Sequence, residues 1–496
     1  MSRSRWARYW LPVAFVGFLA APPWATTALI VVSIAMTAVQ AVGWVARRAA
    51  IGRSRPADVI PLGADKAGRQ VTITQRELSG HGLLLGASGA GKTTTLLTIL
   101  SEQIRQGRPV LAIDMKGSPD FARRLAAAAA AAGRPFRIWT PDGPGHWNPL
   151  QHGNATELKD KLISTERFTE PHYQRAAERY VQTVLQVLES AHPERPPTLD
   201  EVVRLMDPRR LPPALRGLPR PLTDRVQDYL SGLTPDQHSA VRGLQSRLAI
   251  ITESHTGRFL VPPSPDQASG AVDVRRALAG EEVVLFSLNS SRYGQLAAQL
   301  GTLAVQDLIS ATGSRLDELA AGGRPSQATI AIDEFSGIGS DHVIALFARG
   351  REAGVAVLVA TQEMADLDRA GRGVRDQVLG NTAFKLALRQ DVPDSAQTIA
   401  QMAGTERRWE ETRQIGGSIF TGSPVRGTRR EAEQFIVHPN EIKTLRTGEA
   451  VLISKLRGGK ARTIRVRPPE RGHSAPGGRP PAGGRPPASG GEDLGR

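Results

Sequence analysis

His81-Gly82-Leu83-Leu84-Leu85-Gly86-Ala87-Ser88-Gly89-Ala90-Gly91-Lys92-Thr93-Thr94 is the stretch on which the fold turns. Its centre, residues 86–93, has the form GxxxxGK[ST]. Residues 81–85 read as a short buried strand entering the loop. Residues 94–104 read as the helix leaving it, with its N-terminus aimed at the loop. Glycines let such a loop curl, so that successive backbone N–H groups point at phosphate oxygens. Gly86, Ala87, Ser88, Gly89, Ala90, Gly91, Lys92, Thr93 and Thr94 are therefore the expected nucleotide-binding residues. Lys92 is placed to reach the β- and γ-phosphates of ATP, and the Thr93 hydroxyl to hold Mg2+.

A second element points to hydrolysis. Ala328-Thr329-Ile330-Ala331-Ile332-Asp333-Glu334 is an apolar run ending in two carboxylates, as expected of a central parallel strand. Asp333 is the candidate for the Mg2+ shell. Glu334 is the candidate general base for the attacking water. Val357-Leu358-Val359-Ala360-Thr361-Gln362 is another buried strand ending in a polar pair. Gln362 there is suited to orient water at the γ-phosphate. Arg351, in Gly350-Arg351-Glu352-Ala353-Gly354, is the candidate arginine finger, acting in trans across a subunit interface.

Alternating strands and helices run outward from these motifs. Further strands are expected at 71–74, 109–114, 137–140, 281–288, 383–388 and 449–454, with 462–467 turning back on the last as a hairpin. This alternation predicts an α/β fold, a parallel sheet with helices on both faces. A helix is expected over 295–309. Between 155 and 259 no strand-like run occurs, and helical spacings such as Tyr180, Val184, Leu185 and Leu188 take over. That segment reads as an all-α insertion, with proline-rich breaks at 193–197 and 208–221. The expected organisation is a nucleotide-binding domain split into 71–154 and 260–467, the insertion at 155–259, and a linker at 47–70. A disordered Pro/Gly/Arg tail is expected over 468–496.

Residues 1–46 read as a transmembrane helical hairpin. Leu11 to Ala21 and Ala25 to Ala46 are uncharged and largely apolar, and the second run is long enough to span a bilayer. Trp10, Trp24 and Trp44 mark their ends, where interfacial aromatics belong. Arg3, Arg5 and Arg8 precede the hairpin, and Arg47, Arg48, Arg53 and Arg55 follow it. Positive charge on both flanks puts both in the cytoplasm, together with the phosphate loop. A cleaved leader ending near Ala21 is the competing reading; it would export an ATP site and leave the second run unexplained.

Composition narrows the chemistry. There is no cysteine among 496 residues, which excludes disulfides and thiolate metal sites. Ten histidines lack zinc-site spacing. The net charge of +15 is concentrated at the ends: residues 1–60 and 456–496 carry +6 each, leaving +3 for the rest. Nucleic-acid contact by the core must then come from a local patch or a ring of subunits.

The motifs together resemble the type IV secretion coupling proteins, the membrane-anchored conjugative DNA-transfer ATPases of the TraG/TraD/VirD4 kind. The similar stretches are HGLLLGASGAGKTT at 81–94, IDMKGS at 113–118, NPL at 148–150, AIDEFSGIG at 331–339, GREAGVAVLVATQ at 350–362 and LGNTAFKLALRQD at 379–391. The resemblance implies a RecA-like P-loop NTPase with a TraM-recognition type C-terminal region, assembled as a homo-hexamer in the bacterial cytoplasmic membrane. It implies ATP and Mg2+ as cofactors. Its implied partners are DNA, single-stranded and relaxase-bound, the relaxase or another substrate protein, channel proteins of the secretion system, and membrane lipid. Lys92, Thr93, Asp333, Glu334, Gln362 and Arg351 inherit the phosphate, magnesium, water and finger roles. An FtsK-like DNA pump and a protein-cargo coupling ATPase or receptor are the alternatives, since the charge of the core does not distinguish the cargo.

Overall fold

Apolar residues at every position of the central strands give a sheet with two buried faces. The computed structural model describes residues 58–166, 168–262, 270–280, 282–338, 340–413, 427–457 and 461–469. The strands are β1 Val59–Asp65, β2 Gln70–Thr74, β3 Gly82–Leu85, β4 Val110–Asp114, β5 Phe136–Trp139, β6 Val283–Ser287 and β7 Ala328–Asp333. They continue with β8 Val355–Thr361, β9 Phe384–Ala387, β10 Thr405–Arg413, β11 Gly427–Phe435, β12 Glu449–Ser454 and β13 Arg462–Val466. Eleven form one sheet in the order β2-β1-β13-β12-β9-β3-β8-β7-β4-β6-β5.

From β9 to β5 every pairing is parallel. Along β8, Val355, Val357 and Val359 face one apolar cluster, and Ala356, Leu358 and Ala360 face another. This two-residue period with both faces covered is what a central parallel strand requires. One face is packed by the helix Lys92–Arg105 through Leu96 and Ile99, and by the helix Pro119–Ala131 through Phe121 and Leu125.

The sheet is mixed: the expected parallel arrangement holds from β9 to β5, and the expected hairpin of 449–454 with 462–467 is present as β12 and β13. β12 runs antiparallel to β9, β13 antiparallel to β12, and β1 antiparallel to β13. The short return from β12 to β13 permits only an antiparallel pairing of those two. β1 also lies inside the stretch expected to be a linker. Pro61 and Gly63 disguise its alternation, in which Ile60 and Leu62 are fully buried. Gly63 is required there: a Cβ at that position would lie 1.9 Å from the Arg465 carbonyl oxygen.

Among the described residues from 155 to 252 the regular elements are all helices: Ala155–Ile163, Pro171–Ala191, Leu199–Leu205, Leu211–Ala214, Arg220–Ser231 and Pro235–Thr252. Three begin with capping boxes, Asn154 with Glu157, Thr198 with Glu201 and Thr234 with Gln237, which satisfy orphan N–H groups of the first turn. The prolines read as breaks in part occupy helix first turns, where the missing N–H costs nothing. Tyr180, Val184, Leu185 and Leu188 join the same apolar cluster as Val284, Leu300 and Ile332. The helical segment thus shares its core with the second face of the sheet. At their junction Asp307 accepts from Lys161 Nζ (2.9 Å) and from Trp147 Nε1 (3.0 Å), all buried.

The helix expected over 295–309 runs from Ser290 to Ala320, broken at Gly294, whose φ of 47° and ψ of −115° are not helical. β10 and β11 pair as a separate antiparallel ribbon, in register from Thr405↔Phe435 to Arg413↔Gly427. The expected transmembrane hairpin at 1–46 and all but the first residues of the expected tail lie outside the described residues. Among the described residues no helix is long and apolar enough to cross a membrane.

Candidate functional site

The carboxyl ends of β3, β8 and β7, three neighbouring parallel strands, bring the motif residues together. From β3 the chain enters the loop 86–91, where Gly89 and Gly91 adopt φ of 74° and 108°. These left-handed conformations favour glycine. At Gly91 space is short as well, since a Cβ would lie 3.2 Å from Gly448 N. Ala87 N–H donates to Arg389 O (2.8 Å) and Gly448 N–H to Ala90 O (3.0 Å), so loops after β9 and before β12 brace the phosphate loop.

Lys92 opens the following helix and is 4% exposed. Its ammonium donates to the Gly86 carbonyl and, at 3.4 Å, to that of Ala87. Burial lowers its pKa, and the like charge of Lys116 adds to this. Thr93 Oγ1 donates to Asp333 Oδ2 at 3.2 Å. Asp333 Oδ1 is buried and has no hydrogen-bond partner among the described residues. Burial raises the Asp333 pKa, as does the charge of Asp114 on adjacent β4. A paired hydroxyl and carboxylate with one oxygen unsatisfied, in a region of excess negative charge, fits a divalent cation completed by phosphate oxygens and water. Among the described residues no cluster of three or more His, Cys, Asp or Glu could hold a metal by itself.

Glu334 follows Asp333 with φ of 56°. A non-glycine residue in this region stores strain of about 1–3 kcal/mol and marks functional sites. Its Oε1 accepts from Gln362 Nε2 at 2.6 Å. Gln362 is positioned in turn by Asp366, whose Oδ2 accepts from the backbone N–H groups of Gln362 (3.1 Å) and Glu363 (3.0 Å) and from Thr361 Oγ1 (3.0 Å). Beside these residues opens a cleft of about 280 Å³ lined by Glu334, Gln362, Ser290, Ser336, Asp366 and Arg369, among others.

The structure adds a residue to which sequence reasoning gave no role. Lys116 Nζ lies 2.5 Å from Glu334 Oε1. Burial alone would lower the Lys116 pKa, but the hydrogen bond and charge of Glu334 outweigh it and raise the pKa. Lys116 lies in the IDMKGS stretch at the end of β4, and that motif was the available signal. Asp114 Oδ1 and Oδ2 hold its turn by accepting from Lys116 N (2.9 Å) and Ser118 N (2.6 Å).

Arg351 is not brought into this constellation. It is exposed near the end of the helix Ser340–Glu352. Its charge acts on His81, which precedes β3 and lies at the amino end of that central strand, opposite the phosphate loop.

Residues 327–447 match the family described as the TraM recognition site of TraD and TraG. Residues 60–132 match the helicase HerA-like C-terminal family. No curated protein sequence matches the chain. The fold is similar to that of the bacterial conjugative coupling protein TrwB in an unbound form, with a TM-score of 0.58 at 15% identity over 84% of this chain and 91% of TrwB. The plasmid coupling protein TrwB in complex with ADP and Mg2+ gives 0.56 at 14%, over 86% and 92%. VirB4 of Thermoanaerobacter pseudethanolicus gives 0.53 at 15%, over 83% and 97%. The resemblance to type IV secretion coupling proteins read from the motifs thus holds, in the TraD/TraG family match and in a shared coupling-protein fold.

Proposed function

We propose that this coupling-protein-like NTPase hydrolyses ATP to drive DNA, or a relaxase–DNA complex, through a type IV secretion channel. The observation that carries this is the convergence of Lys92, Thr93, Asp333, Glu334 and Gln362 at the ends of three adjacent strands. On ATP binding Lys92 leaves the Gly86 and Ala87 carbonyls for the β- and γ-phosphates. Thr93 and Asp333 hold Mg2+, which neutralises phosphate charge. Gln362 orients the attacking water, and Glu334 takes its proton. Nucleotide and magnesium in a coupling protein of this fold support that assignment.

Arg351 acts in trans, in a homo-hexamer in which each nucleotide is completed by a neighbouring subunit. Residues 1–46 anchor the ring in the bacterial cytoplasmic membrane, with the ATPase in the cytoplasm. The TraD/TraG-like region supports relaxosome-side partners. DNA as cargo is favoured by a local charge imbalance. Arg204, Arg209, Arg210, Arg216, Arg220 and Arg225 are all exposed on the helical segment, against Asp207 and Asp224 in the same span.

The test is ATP turnover by the full chain in detergent, with and without single- and double-stranded DNA, against Lys92→Ala. Stimulation by DNA that falls steeply with salt supports the DNA motor. Turnover indifferent to DNA points instead to a protein-cargo coupling ATPase. Equal turnover in wild type and Lys92→Ala overturns the nucleotide site itself.

A further inference from the structure

Glu334, the residue assigned as base, is held by two donors at one oxygen. Lys116 Nζ is 2.5 Å and Gln362 Nε2 2.6 Å from its Oε1. Two donors occupy both lone pairs of that oxygen, which leaves it none with which to accept a proton from water. The arrangement is therefore one of rest, and hydrolysis requires Lys116 to let go.

We propose that Lys116 is a switching residue that senses the terminal phosphate. It holds Glu334 while the γ-phosphate position is empty, and it moves to that phosphate when a nucleoside triphosphate binds. This frees Glu334 to take a proton from water. The inference rests on the reading of the loop 86–93 as the nucleotide site.

Three observations carry it. First, Lys116 lies within the field of the phosphate site, since its charge acts on both Lys92 and Asp333. Second, its backbone is fixed by the two Asp114 contacts, whereas its side chain is 38% exposed and free to swing. Third, Glu334 is also held by Gln362 Nε2 and its side chain is 18% exposed against 38% for Lys116, so of the two ion-pair partners the lysine is the one able to move. A terminal phosphate carries more negative charge than one carboxylate and draws the ammonium away from it. Lysine suits such an exchange, being a compact charge on a flexible stem.

The test is equilibrium binding of ADP and of a non-hydrolysable ATP analogue, each with Mg2+, to the full chain in detergent. Lys116→Met is expected to weaken the analogue about tenfold, the scale of one charge-assisted hydrogen bond. ADP affinity should stay within about twofold, and retained ADP binding also shows that the variant is folded. Lys116→Arg should restore most of the lost affinity. Glu334→Gln, which removes the competing partner, should tighten the analogue and not ADP, and less so when combined with Lys116→Met. Equal weakening of both ligands by Lys116→Met, or no effect on either, overturns the proposal. Lys92→Ala separates the premise: if it leaves both ligands bound as before, the nucleotide site is wrong and not merely the switch.

Discussion

Thr93 Oγ1 and Asp333 Oδ2 meet at 3.2 Å across 240 positions of chain, joining the start of the phosphate-loop helix to the end of β7. Each residue alone is an ordinary helix or strand terminus; together, with Asp333 Oδ1 unsatisfied, they are the pair proposed to hold Mg2+. Asp333→Asn keeps the shape and removes the charge. Turnover should fall at least about a hundredfold, as when a main electrostatic contact to a transition state is lost. Thermal unfolding in the absence of nucleotide should stay near wild type. Mg2+ titration of turnover checks the assignment, and an unchanged Mg2+ requirement in Asp333→Asn would refute it.

Arg351 lies by the amino ends of the strands, beside His81, and cannot reach the nucleotide of its own subunit. If it serves a neighbour, Arg351→Ala and Glu334→Gln subunits are each inactive alone yet complementary. Mixed assemblies then contain interfaces with an intact arginine facing an intact base. Turnover should reappear on mixing and peak near equal proportions. No recovery at any ratio would remove Arg351 from the site.

What could be read in advance follows from how locally each feature is encoded. The phosphate loop and the Asp333-Glu334 strand end are contiguous, so their chemistry is written in adjacent residues. β1 was hidden because Gly63, needed for the close approach of Arg465, has the look of linker punctuation. The ribbon of β10 and β11 was missed because Thr405–Arg413 and Gly427–Phe435 lack an apolar alternation and are instead rich in arginine and glutamate. Lys116 and Glu334 are far apart in sequence, and neither motif names the other. Their pairing arises from β4 lying beside β7. Arg351 carried the right residue type, and only the fold shows that it lies by the amino ends of the strands.

If the cargo is DNA, as proposed, the exposed arginines of the helical segment are where it should be held. Arg204, Arg209, Arg216 and Arg220 have no ion-pair partner among the described residues, whereas Arg210 pairs loosely with Asp207 at 3.8 Å. Replacing Arg209, Arg210, Arg216 and Arg220 by Gln removes up to four phosphate contacts. Basal turnover should be unchanged and stimulation by DNA lost. The slope of log affinity against log salt should become shallower by about 3 for a single strand. An unaltered slope would move the DNA contact elsewhere.

Asp307 joins the helical segment to the long helix by accepting from buried Lys161 and Trp147, and Lys161 also donates to the Pro149 carbonyl at 2.7 Å. Asp307→Ala leaves a buried ammonium without its counter-charge and an indole N–H without an acceptor. The cost should be about 3–5 kcal/mol. Adding Lys161→Met to Asp307→Leu should recover much of it, because an apolar replacement of a whole buried pair is often neutral. Urea unfolding followed by tryptophan fluorescence distinguishes the two, and a loss under about 1 kcal/mol for Asp307→Ala would show that the network is slack.

Lys385 supplies a pH dependence that a generic lysine would not. Burial, with the adjacent charge of Lys455, pulls its pKa down to about 7. Its Nζ donates to the Leu379 carbonyl (2.8 Å) and the Thr382 carbonyl (2.7 Å), the two bonds that a neutral amine can donate. The unfolded chain holds this proton up to the ordinary lysine value of 10.5, while the folded chain releases it near 7. Below pH 7 both forms are protonated and the penalty of a buried charge is complete. Between about 7 and 10 the unfolded chain binds more protons, so stability contributed by this site rises with pH, by at most about 1.4 kcal/mol per unit. Lys385→Met removes this slope. Denaturant midpoints at pH 6.5, 8 and 9.5 should diverge between wild type and Lys385→Met, the wild type gaining on the variant as pH increases. Parallel midpoints across that range would mean that Lys385 keeps its charge in the fold.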